Sequence, residues 1–77
     1  MEKWLVEILL KDWIADLKDG TRVVGYEDVF AVNEIAARFK GFDKFRERCH
    51  YEPSMRKKMN MEKLTTNECC AHEAIQI

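Results

Sequence analysis

The sequence predicts an α+β fold, a small N-terminal antiparallel sheet packed by a central amphipathic helix and followed by a short C-terminal helix. Three observations carry this expectation. Residues 4–11, "WLVEILLK", alternate with period two. Asp19-Gly20 is a preferred pair for a two-residue hairpin turn, because both central positions of that turn need positive φ. Ile35, Phe39, Phe42, Phe45 and Cys49 recur at steps of three and four, the spacing of a helix face. The rival fold is an all-α three-helix bundle, in which residues 2–18 form a Leu-rich helix supported by Glu7 and Lys11 four apart.

In the first segment Trp4, Val6, Ile8 and Leu10 make an apolar face, while Leu5, Glu7, Leu9 and Lys11 are mixed. On a helix the charges of this segment would divide into two stripes, so the strand is preferred. Past the hairpin, Thr21, Val23 and Val24 begin a second strand that runs on through "EDVFAV", with Gly25 marking a bulge. Asn33 is placed to cap the central helix. Gly41 weakens that helix by about 1 kcal/mol relative to alanine, giving either one kinked helix or two helices joined at "KGF". The only proline, Pro53, predicts a loop, because the residue before proline disfavours helix. Thr65 followed by Glu68 has the capping-box spacing, which predicts the C-terminal helix.

Size narrows the function classes. A chain of 77 residues forms a single domain with a modest core and buries only about 60% of the surface it exposes when unfolded. No stretch approaches the roughly 18 apolar residues of a membrane span, and Glu7 interrupts the N-terminal apolar run where a signal peptide would need continuity. Three cysteines is an odd number, so a reducing cytoplasm is expected rather than a disulfide framework. Net charge is -1 but uneven: residues 1–34 hold four Lys or Arg against eight Asp or Glu, and residues 35–63 hold nine against four. Such asymmetry bears on what the surface attracts.

All the cysteines and histidines, Cys49, His50, Cys69, Cys70 and His72, fall in the last 29 residues. Zinc takes four such ligands in a tetrahedron, so Cys49, His50, Cys69 and His72 are the candidate set. Adjacent residues project apart on a helix and no C-x2-C pair is present, so the expectation is packed cysteines and no cofactor. Arg46, Arg48 and His50 beside Cys49 would favour a thiolate. "SMRK" matches the serine acyl-enzyme spacing by chance, and the three glycines form no phosphate loop. The Glu27-Asp28 pair reads as solvated turn residues, and no enzyme is expected.

Two binding readings remain. "VNEIAARF" resembles the first helix of a helix-turn-helix unit. The resemblance implies a recognition segment at "DKFRERCHY", with Lys44, Arg46 and Arg48 reading nucleic acid and Arg56, Lys57 and Lys58 on phosphates. The preferred reading is a non-catalytic protein that docks on a cellular protein and modulates or inhibits it, in the format of a small bacterial or phage regulator. Its contact residues would be Trp13, Met55 and Met59 as apolar anchors, with Lys44, Arg46, Arg48, Arg56, Lys57 and Lys58 as cations, since aromatic, Met and Arg residues are enriched at interfaces. An edge strand could also pair with a second copy to form a homodimer.

Overall fold

The computed structural model describes residues 1–11 and 22–77. Strand β1 (Glu2–Leu10) and strand β2 (Val23–Ala31) precede helix α1 (Glu34–Tyr51), helix α2 (Pro53–Met61), a 3-10 turn (Thr66–Glu68) and strand β3 (Cys69–Gln76). The strands form one antiparallel sheet in the order β2-β1-β3. The fold is α+β, with a helix packed on the sheet as the periodicities predict. The hairpin residues Asp19-Gly20, and Trp13, lie outside the described residues.

Period two in β1 does what it implies. Val6 and Ile8 are fully buried and Leu10 nearly so, all on the face that α1 covers. Register with β2 runs from Glu2 opposite Ala31 to Ile8 opposite Gly25, then skips to Leu9 opposite Val23. Val24 is therefore the extra residue of a bulge beside Gly25, where the sequence placed one.

Helix α1 starts as expected, with the Asn33 side chain accepting from the Ala36 N–H at 2.8 Å. It is one continuous helix through Gly41, so the two-helix version and the helix-turn-helix resemblance both fall at that point. Gly41 serves tertiary packing: a Cβ there would lie 2.6 Å from the Val6 Cβ. The helix lies on Ala37, Gly41 and Phe45, its buried residues, and the two small ones let its backbone reach β1.

Glu52 is a single extended residue between the helices, with Pro53 at the first position of α2. The expected loop is thus one residue long. Helix α2 ends when Lys63 turns left-handed (φ 55), its N–H donating to the Asn60 carbonyl while the Leu64 N–H donates to the Met59 carbonyl. That is the Schellman pattern, here without its usual glycine.

The predicted C-terminal helix is a strand. Thr65 makes no side-chain cap bond, and the capping-box residues form only the 3-10 turn. Beyond it β3 pairs with the edge of β1 that β2 leaves free. Register places Glu7 opposite Glu73 and Ile8 opposite Ala71, so His72 is an extra, bulged residue. The bulge moves the inward positions from Cys69 and Ala71 to Ala74, which erases the period-two signature from the sequence.

Candidate functional site

The orientation of α1 decides which side chains are available. At 100° per residue, the stripe Ile35, Phe39, Phe42, Phe45 and Cys49 is centred about a quarter turn from the line Ala37, Gly41 and Phe45 on which the helix rests. Phe45 is accordingly buried, Phe42 and Cys49 are half-buried, and Ile35 and Phe39 are 65% and 72% exposed. The apolar stripe is rolled away from β2 and hangs over β3.

Electrostatics on the other flank hold that roll. Lys40 donates to the Phe30 carbonyl at 2.9 Å, Lys44 to the Asp28 carbonyl at 2.6 Å, and Lys58 of α2 to the Val24 carbonyl at 2.9 Å. Among the described residues β2 is an edge strand, and these ammonium groups occupy backbone acceptors that a further strand would need. Beside them Glu27, 2% exposed rather than a solvated turn residue, accepts two bonds from one Arg48 nitrogen at 2.8 and 2.7 Å. Arg48 also donates from Nε to Glu52 at 3.0 Å. These bonds to Glu27 and Glu52 hold the guanidinium firmly protonated, above its ordinary range.

Most of the predicted contact residues are therefore engaged within the chain. Lys44, Arg48 and Lys58 bind the β2 side, and Arg46 lies 4.0 Å from Asp43. Met59 is 5% exposed and Met55 half-buried, because α2 turns both toward the core; neither is an exposed anchor. Arg56 and Lys57 remain exposed. Arg46, Cys49, His50, Arg56 and Met59 share a polar recess of about 620 Å³ between the end of α1 and α2.

The four candidate zinc ligands are not assembled. Cys69 is buried, its Sγ 3.7 Å from the Thr65 carbonyl, while His50 is exposed and packs edge-on against Tyr51. His72 lies on the opposite face of the sheet, 3.4 Å from Glu7. Burial pushes the Cys49 thiol up despite Arg48, and pushes Cys69 up to about 11, the reverse of the thiolate expectation. The three cysteines are free. The His72 bulge does bring Glu7, His72 and Glu73 together on the exposed sheet face, with potential ligand atoms within 4.8 Å of one another.

What the roll of α1 creates is a groove of about 800 Å³ floored by Cys69, Cys70 and Ala71 of β3 and walled by Ile35, Phe39 and Phe42. Lys11 and Arg38 stand at its rim. Arg38 reaches Glu34 at 3.4 Å through one terminal nitrogen, while its Nε is shielded from solvent without a hydrogen-bond partner among the described residues. Sequence reading missed this site because it gave Ile35, Phe39, Phe42, Phe45 and Cys49 as one helix face without marking which of them the sheet leaves uncovered. Lys40 and Lys44 lie about half a turn round the helix from the centre of that stripe, and nothing in the sequence marks the strand carbonyls they reach.

No helix among the described residues is long and apolar enough to cross a membrane. Comparison with protein-family models, with curated proteins and with solved structures found no match.

Proposed function

We propose that this chain is a non-catalytic protein-binding module that docks on a cellular protein through the α1 flank beside β3, modulating or inhibiting it by occlusion. The observation that carries the reading is Phe39, a large aromatic side chain 72% exposed on a well-packed helix and next to Ile35 at 65%. Apolar area of this kind, rimmed by Lys11 and Arg38, suits burial against another protein. A nucleic-acid surface is less well supported, since Lys44, Arg48 and Lys58 are engaged within the chain. Three free thiols fit a reducing compartment.

A photo-crosslinking residue at position 39, compared with one at Tyr26 on the other sheet face, tests the reading in lysate. The expected result is a discrete nuclease-resistant protein adduct at position 39 alone. Adducts that vanish with nuclease, or equal labelling from both positions, overturn it.

A further inference from the structure

The two edges of the sheet are treated differently. β2 has three outer carbonyls occupied by Lys40, Lys44 and Lys58, whereas no described residue pairs with the outer edge of β3. That unguarded edge adjoins the apolar groove, with Cys70 and Ala71 belonging to both. A strand added there would find backbone donors and acceptors along β3, and every second side chain would turn toward Ile35, Phe39 and Phe42. Lys11 and Arg38 stand at the rim, the latter bound to Glu34 at 3.4 Å through one terminal nitrogen, and their positive charge complements a carboxylate.

We propose that β3 accepts an extended segment of the partner protein as a fourth strand, with apolar residues at alternate positions facing the groove and an Asp or Glu against Lys11 and Arg38. This rests on the protein-binding reading above and names the form of the ligand. An amphipathic helix would fill the groove but leave the β3 amides unused; an extended segment satisfies both. A second copy would bring another Lys11 and Arg38 to the shared interface, with Glu34 already bound to Arg38.

The test selects random linear peptides displayed on phage against the full chain and then measures the enriched peptides on both the native chain and Phe39→Asp. The expected result is enrichment of alternating apolar residues with one acidic position. The synthetic selected peptide should slow amide exchange along β3, and N-methylation of alternate peptide amides should weaken it about tenfold or more, as lost backbone hydrogen bonds require. Ala71→Lys, which puts an ammonium on the half-buried floor of the groove, should abolish peptide binding in a chain whose far-UV spectrum stays native. Peptides that need Phe39 but are indifferent to N-methylation and leave β3 exchange unaltered overturn the strand while sparing the docking surface. Concentration-dependent protection of β3 without peptide makes the occupant a second copy and overturns the proposal. Selected peptides that bind Phe39→Asp as well as the native chain sink the strand and the docking surface together.

Discussion

A methyl group at Gly41 would meet the Val6 Cβ at 2.6 Å, inside any real contact, and Val6 is fully buried with no flexible end to yield. Helix propensity alone favours Gly41→Ala by about 1 kcal/mol. Overpacking outweighs it, so denaturant unfolding should show Gly41→Ala destabilised by about 1–3 kcal/mol. Glu27 is the second decisive residue. Removing its partner in Arg48→Ala leaves a buried carboxylate uncompensated, and stability should fall by about 3 kcal/mol, the lower end of such cases because Arg48 is itself about a third exposed. Replacing both residues with leucine should cost much less than the single change. For Cys69 the fold holds the thiol proton more tightly than the unfolded chain, raising the pKa from 9.0 to about 11. That contribution is complete below pH 9 and disappears as pH rises through about 11. Cys69→Val should therefore lose less stability than the native chain over this interval, as read from denaturation midpoints.

Among the elements, α1 and β2 act as a unit. Lys40 and Lys44 on one flank of α1, joined by Lys58 of α2, reach across to the strand and blunt its edge, which both orients the helix and discourages edge-to-edge pairing. Changing Lys40, Lys44 and Lys58 together to Ser should leave β2 unguarded, and light scattering after size exclusion should reveal self-association that the native chain shows less. The strand β1 and the cap of α1 were legible because their signals are local: alternation over eight residues and an Asn side chain reaching one turn ahead. β3 was not legible, because its bulge at His72 breaks the alternation and its pairing partners lie 59 to 72 residues earlier. The capping box before it marks only a single 3-10 turn, since the unpaired edge of β1 competes for the same backbone.

Taken as a whole, the molecule places its largest exposed apolar groups away from the core, so binding and folding should separate cleanly. Ile35→Asp and Phe39→Asp should each change unfolding free energy by no more than about 0.5 kcal/mol, while reducing the fluorescence of a groove-binding hydrophobic dye. A loss of several kcal/mol in either variant would mean that these side chains belong to the core after all. Composition and periodicity by themselves determined the α+β class, the first strand and the capped central helix, because each rests on interactions between residues close in sequence. Only the tertiary structure decided which face of that helix turns inward, that the tail is a strand, and that Met59 is core while Phe39 is surface. Those outcomes depend on a close approach at Gly41, on lysines meeting carbonyls of a distant strand and on a free sheet edge, none of which a single stretch of chain contains.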